Sequence, residues 1–274
     1  MIASIVLNER LGEFVSKIMG WQSVRIAQDD IVVKPPAYQN NLDEDTMEKR
    51  IDTVGFHQDS AYISIQFLPY ESNSVTVWMA IDDTDEENGC LEYAVGSHLW
   101  RPILHSHPTN EEEAESSKEK HDNSIISSFH DSDETSYRSG LLGAHFAHKR
   151  ECEMKENSVP LLEIQSATPV KAGHAIIHHQ DVWHGSGPNK SDTRYRRALV
   201  GHYIRGDSLF VNDDSNASTH PFGKSSYIYG RYKKYQSTEL EETFFPIIYA
   251  SKQDDTTIEN NRTEWIDDYV LKFP

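Results

Sequence analysis

Residues 55–67 read Gly-Phe-His-Gln-Asp-Ser-Ala-Tyr-Ile-Ser-Ile-Gln-Phe. The triplet His57-Gln58-Asp59 opens a strand-like run, Ser60 to Phe67. Residues two apart on a strand share a face, so His57 and Asp59 aim at one cation while Gln58 faces away. An imidazole nitrogen beside a carboxylate oxygen suits iron. A second histidine from a distant strand completes a facial set of two histidines and one carboxylate, with three coordination positions left open. The stretch Trp183-His184-Gly185-Ser186-Gly187-Pro188-Asn189 supplies that histidine, His184.

Working outward, further strand-like runs lie at 22–36 (QSVRIAQDDIVVKPP), 73–82 (NSVTVWMAID) and 90–95 (CLEYAV), each bounded by Gly, Pro, Asn or Asp. Strand character returns at 159–164 (VPLLEI), 174–179 (HAIIHH) and 195–204 (YRRALVGHYI). A β-sheet core follows. Between these groups, residues 105–157 are charged, serine-rich and without apolar periodicity, which predicts a long mobile insertion inside one domain spanning 1–274. The last part, 237–274, reads as short helices and loops covering the outside.

A chain of 274 residues is long enough for one large β-domain. Acidic residues outnumber basic ones 44 to 26, a net charge of −18 that repels phosphate backbones and anionic lipid headgroups. Neither nucleic acid nor membrane is an expected partner. No run approaches the roughly 18–20 apolar residues that span a bilayer, and residues 1–14 carry no basic segment of a secretory leader, so a cytoplasmic location is expected. The two cysteines, Cys90 and Cys152, make no disulfide framework or zinc spacing, which fits a reducing compartment. Nothing in the sequence bears on oligomeric state.

The HxD pattern recurs at His179-Gln180-Asp181. That copy needs a later histidine, His202 or His220, and neither is followed by polar turn residues and a nearby strand arginine. His184 is: Arg196 comes 12 residues later, in a strand-like run. A guanidinium presents a planar fork that binds a carboxylate through two parallel hydrogen bonds, as the anchor of a dicarboxylic co-substrate requires. Strand alternation puts Arg194 on the same face as Arg196, and Arg197 on the other.

Taken together and in order, HQDSAYI (57–63), VTVWMAIDDTDEENGCLEYAVGSH (75–98) and HGSGPNKSDTRYRRAL (184–199) resemble the blocks of the phytanoyl-CoA dioxygenase family, over about 26–205. The resemblance implies a mainly β double-stranded β-helix, jelly-roll or cupin-like, with peripheral helices. It implies an Fe(II)- and 2-oxoglutarate-dependent dioxygenase, with O2 as oxidant, that hydroxylates a small-molecule metabolite and releases succinate and CO2. His57, Asp59 and His184 are then the iron ligands and the catalytic centre, and Arg196 and Ser186 bind the far carboxylate of 2-oxoglutarate. Trp78 falls beside the co-substrate in this family, although a plain core aromatic reads equally well from the residues. Related halogenases have a small residue where this chain has Asp59, so hydroxylation is favoured.

Two departures stand out. Arg196 follows the distal histidine one residue later than is commonest in the family, and the family usually has a longer N-terminal part, with a lysine near the co-substrate, ahead of the segment ending Lys34-Pro35-Pro36. Lys34 reads as a strand-end surface charge, and Asp30 falls where family members contact the co-substrate with a different side chain. No basic cluster is available to grip coenzyme A phosphates, so a small polar or amphipathic substrate is expected. The 105–157 insertion reads either as a lid, with Phe146, His148 and Arg150 reaching inward, or as a solvated loop. The rivals are an inert jelly-roll binder and a cupin-like metalloenzyme independent of 2-oxoglutarate, which would have no need of Arg196.

Overall fold

The computed structural model describes residues 2–37, 53–63, 66–70, 72–100, 136–155, 157–158, 161–211, 228–234, 236–251, 263 and 266. Two helices, α1 (Ile2–Val6) and α2 (Glu9–Met19), precede the strands. Asn8 caps α2 by accepting the Arg10 amide at 2.9 Å, and Gly20 closes it in the left-handed conformation at φ 68°. The strands are β1 (Ser23–Lys34), β2 (Val54–His57), β3 (Phe67–Leu68), β4 (Ser74–Ala80), β5 (Glu92–Ala94), β6 (Ile164–Ser166), β7 (Ala175–His179), β8 (His184–Ser186), β9 (Arg196–Arg205), β10 (Leu209–Phe210) and β11 (Ile247–Ala250). A third helix, α3 (Ser139–Met154), lies between β5 and β6.

The strands form a larger antiparallel sheet ordered β11-β1-β9-β4-β7, a smaller one ordered β2-β8-β5-β6, and the short pair β10-β3. Strand alternation divides the larger sheet's side chains cleanly. Val75 and Val77 of β4 with Leu199 and Tyr203 of β9 are buried in one cluster with Val6, Leu7 and Val15 of the N-terminal segment. Thr76, Trp78, Val200 and His202 point the other way, into a pocket that also has β2 and β8 in its wall. Beside the N-terminal helices the larger sheet is therefore covered on both faces, while Asp29, Ile31 and Val33 of β1 stay exposed.

β1 changes faces midway. Val24 and Ile26 join the helix-side cluster, but the pairing with β9 runs Ile26 to Tyr203 and then Gln28 to His202, so Ala27 is an extra residue. This bulge moves Gln28, Asp30, Val32 and Lys34 to the pocket side, the re-aiming that bulges beside active sites commonly supply.

Two sequence expectations need correction. The run after the HxD triplet is not a strand: β2 ends at His57, Gln58 stays extended, and Asp59–Ala61 form a 3-10 turn. Ile63 and Phe67, four residues apart, are both fully buried in one aromatic cluster with Phe210, Tyr229 and Phe245. The apolar spacing serves a turn here. The segment 105–157 is not uniformly loop either, because Ser139–Met154 is helical. Leu141 and Ala144 pack with Phe56, Trp100, Tyr137 and Trp183 on the back of the smaller sheet. Only those two helix residues are buried, too narrow a stripe to show as periodicity. Residues 105–135 and 156 of that segment lie outside the described residues, as does most of the chain beyond 251.

β2 and β8 approach so closely that a Cβ at Gly185 would lie 2.8 Å from both Phe56 Cδ2 and the Val54 carbonyl oxygen. Backbone cannot yield as a flexible side chain would. Gly185→Ala is expected to lower stability by roughly 1–3 kcal/mol, as overpacked sites do, and urea unfolding of the purified variant against wild type measures it.

Candidate metal centre

His57 ends β2 and His184 begins β8, and the two are direct cross-strand partners. Their ring centroids lie 4.4 Å apart. The 3-10 turn brings Asp59 Oδ1 to 3.5 Å from His57 Nε2 and 3.7 Å from His184 Nε2. One ligand atom from each of His57, Asp59 and His184 falls within 4.8 Å of the others, the one such group among the described residues. The outer nitrogens are occupied: His57 Nδ1 lies 2.8 Å from the Gly55 carbonyl and His184 Nδ1 3.0 Å from that of Val182. A carbonyl only accepts, so each Nδ1 carries a proton and each Nε2 is turned inward toward Asp59, the arrangement of metal-ligating histidines.

The second HxD copy builds no such group. His179 is part-exposed and its Nδ1 accepts the Asp181 amide at 3.1 Å, while the Asp181 carbonyl accepts from Gln58 Nε2 at 2.5 Å. His202 belongs to the first centre, 3.8 Å from Asp59, and His220 lies outside the described residues.

Asp59 is 1% exposed. Its Oδ1 accepts the Tyr62 hydroxyl at 2.5 Å. Its Oδ2 accepts the Thr76 hydroxyl and lies 3.2 Å from His178 Nε2. Burial alone would push the carboxyl pKa up, but His184, His178, His57 and His202 outweigh it and hold it well below the usual range. Burial, then the neighbouring His178 and His57, push His184 well below its usual value, so its imidazole stays neutral. At His57 burial acts downward, yet the hydrogen bond and charge of Asp59 prevail and raise it.

These shifts set opposite pH trends in the metal-free protein. A histidine with a depressed folded value contributes stability above the unfolded value of 6.5 that is lost as pH falls below it, because the unfolded chain takes the proton first. His57, with its value raised, contributes stability below 6.5 that is lost as pH rises through the folded value. His184→Gln removes only the first trend. Its urea midpoint is expected to fall less between about pH 7 and pH 5 than that of wild type, and chelator-treated samples give the comparison directly.

The centre opens into a cavity of about 430 Å³ between the two sheets. Arg196, 1% exposed, lines it. Its Nη2 donates to Ser186 Oγ and its Nε to the Gly89 carbonyl, both at 3.0 Å. The guanidinium carbon sits 5.5 Å from the centre of the Trp78 ring, so Trp78 is at once pocket wall and core aromatic. The other two arginines are engaged outside the pocket: Arg194 with Asp85 and Glu87, Arg197 with Asp82. Arg194 does not share the face of Arg196, because β9 begins only at Arg196.

Lys34 is the clear correction. It is 1% exposed, pairs across the strands with Arg196, and donates to the Gly187 carbonyl at 2.5 Å; the bulge at Ala27, invisible in composition, turned it inward. Asp30 lines the pocket for the same reason. Phe146, His148 and Arg150 are absent from the lining; Phe146 is exposed and His148 stacks on Trp100 at 5.3 Å. Thr76, His178 and His202, which hold Asp59, were not singled out as its partners. Their signal is a polar residue at an inward position of a strand that is otherwise apolar, legible only once the inward face is known.

Two imidazole nitrogens and one carboxylate oxygen match the donor set of non-haem iron centres, and a buried guanidinium lines the same pocket, a group suited to a carboxylate. The sequence profile of the phytanoyl-CoA dioxygenase (PhyH) family matches residues 22–198. No curated protein sequence matches the chain. Among solved structures, the non-haem α-ketoglutarate-dependent carbocyclase SnoK from nogalamycin biosynthesis is 18% identical, with 89% of this chain and 69% of SnoK covered and a TM-score of 0.53. The epimerase SnoN, in complex with Fe3+, α-ketoglutarate and nogalamycin RO, is 16% identical, with 89% and 72% covered and a TM-score of 0.50. These likenesses bear on the fold, which is mainly β and cupin-like. The profile match covers most of the chain, which therefore belongs to the phytanoyl-CoA dioxygenase family of iron- and 2-oxoglutarate-dependent oxygenases.

Proposed function

We propose that His57, Asp59 and His184 hold Fe(II), that Arg196 with Ser186 anchors the distal carboxylate of 2-oxoglutarate, and that the chain, acting as a single domain, hydroxylates a small-molecule metabolite. The observation that carries this reading is the convergence of the three ligand atoms and the Arg196 guanidinium on one cavity of about 430 Å³. With O2, the bound iron and 2-oxoglutarate supply the oxidation of a C–H bond to C–OH, coupled to decarboxylation of 2-oxoglutarate to succinate and CO2.

The chain's own residues supply geometry. Each histidine is held in one tautomer by a backbone carbonyl, and Asp59 keeps its negative charge despite burial. Arg196 is oriented by Ser186 and Gly89 before any ligand arrives, so little rotamer entropy is lost on binding a carboxylate. Val32, Val54, Leu91 and Val200 line the cavity with hydrocarbon, which limits water near the reacting centre.

Cavity size and charge narrow the substrate. A coenzyme A thioester needs cationic side chains for its phosphates, whereas the described lining carries Asp30 and Asp59 with Arg196 as its arginine, and the chain's net charge is −18. A small polar or amphipathic molecule fits better. No described helix is long and apolar enough to cross a membrane, and we place the enzyme in the cytoplasm.

The decisive experiment needs no knowledge of the substrate. Anaerobic protein loaded with Fe(II) and titrated with 2-oxoglutarate is expected to develop a visible metal-to-ligand charge-transfer band, absent in His184→Ala. Arg196→Leu should raise the 2-oxoglutarate concentration at half-saturation by roughly 30-fold or more, as loss of one partner of a buried charged pair does. Asp59→Ala should abolish succinate formation. A folded, iron-loaded wild type that gives no band would contradict the proposal and favour an inert binder or a 2-oxoglutarate-independent metalloenzyme.

A further inference from the structure

The pocket side of the larger sheet carries a polar row that runs across four strands. The register sets Gln28 of β1 beside His202 of β9, His202 beside Thr76 of β4, and Thr76 beside His178 of β7. One step along the strands, the row is Asp30, Val200, Trp78 and Ile176. Four polar side chains side by side on a buried face carry a desolvation cost unless each is satisfied, and these are linked to one another.

The links have a direction. Tyr229 donates its hydroxyl to Gln28 Oε1 at 2.8 Å, and Gln28 Nε2 donates to Asp30 Oδ2 at 2.7 Å. His202 Nε2 lies 3.7 Å from that same Asp30 oxygen, and its Nδ1 lies 2.9 Å from Thr76 Oγ1. Thr76 donates to Asp59 Oδ2, so it must accept from His202. From the other side His178 Nε2 meets Asp59 Oδ2 at 3.2 Å, with its Nδ1 2.9 Å from the Tyr93 hydroxyl. Both chains converge on one oxygen.

The two oxygens of Asp59 are thus treated differently. Oδ2 faces the sheet and takes Thr76 and His178, which fills its two acceptor positions. Oδ1 takes the Tyr62 hydroxyl and is the oxygen turned toward the Nε2 atoms of His57 and His184.

We infer that Thr76 and His178, backed by His202 and Tyr93, are positioning residues that tie up Asp59 Oδ2, so that Asp59 meets the metal through Oδ1 alone. Single-atom coordination keeps the neighbouring coordination position open, where a freely rotating carboxylate could close it with its second oxygen. The inference rests on the proposed iron site and adds to it how the carboxylate is held in its working orientation.

The test uses the full chain under argon: Fe(II) affinity by competition with a chromophoric chelator, then 2-oxoglutarate titration of the iron-loaded protein. Thr76→Val is close in shape and lacks only the hydroxyl. It is expected to weaken Fe(II) binding by roughly 10–100-fold, the usual effect of losing an outer partner of a ligand, and to shift or weaken the charge-transfer band, with Thr76→Ser returning both to within about threefold of wild type. His178→Phe should act in the same direction and His178→Gln, which keeps an N–H donor, should recover part of the loss. If Thr76→Val fails to fold, the His178 pair decides on the same criteria. Variants that match wild type in iron affinity and band position overturn the positioning role while the iron site stands. A wild type that takes up no Fe(II) overturns the site, and this inference with it.

Discussion

The structure is organised around a buried carboxylate. Moving a carboxylate out of water costs several kcal/mol even after relaxation, and Asp59 is almost fully enclosed. The chain offsets that cost with two hydroxyls, Tyr62 and Thr76, and with imidazoles on three sides. Those partners come from the 3-10 turn, from β4, β7, β8 and β9, so both sheets must be in place before the carboxylate is satisfied. The centre and the sandwich specify each other.

Getting polar groups onto the inner face of the larger sheet depends on one irregularity. Ahead of Ala27, Val24 and Ile26 of β1 join the helix-side cluster; after it Asp30 and Val32 line the cavity, and Gln28 and Lys34 pair with His202 and Arg196. Were Ala27 paired regularly instead of bulged, Asp30 and Lys34 would take the opposite face, since a one-residue slip exchanges the two faces of a strand. The bulge thereby puts Lys34 beside Arg196. The smaller sheet solves a different problem. Its short strands bring His57 and His184 face to face, which requires the backbone contact at Gly185 and the support of Phe56, Trp183 and Leu141 behind them.

Much of this was legible in the residues alone. His57, Asp59 and His184 are recognisable because the chemistry of the donor set, the polar turn after His184 and the arginine 12 residues on constrain one another. Alternation divides β4 and β9 into two faces, and packing decides which of them lines the cavity. The strand assigned to Ser60–Phe67 failed because Ile63 and Phe67 sit four apart, a spacing that strand and turn both accommodate over so short a run. Helix α3 was hidden for a related reason, its buried stripe being two residues wide.

Composition and motif order, then, determined the β class, the three convergent ligand types and the arginine that shares their pocket, because those depend on residue identity and local spacing. The partners of Asp59, the burial of Lys34 and the separation of Arg194 from Arg196 were decided only in three dimensions. Each depends on where one strand lies against another: a register, a bulge or the first residue of a strand. Most of these choices are settled by packing between segments more than a hundred residues apart, and no local pattern of the chain encodes them.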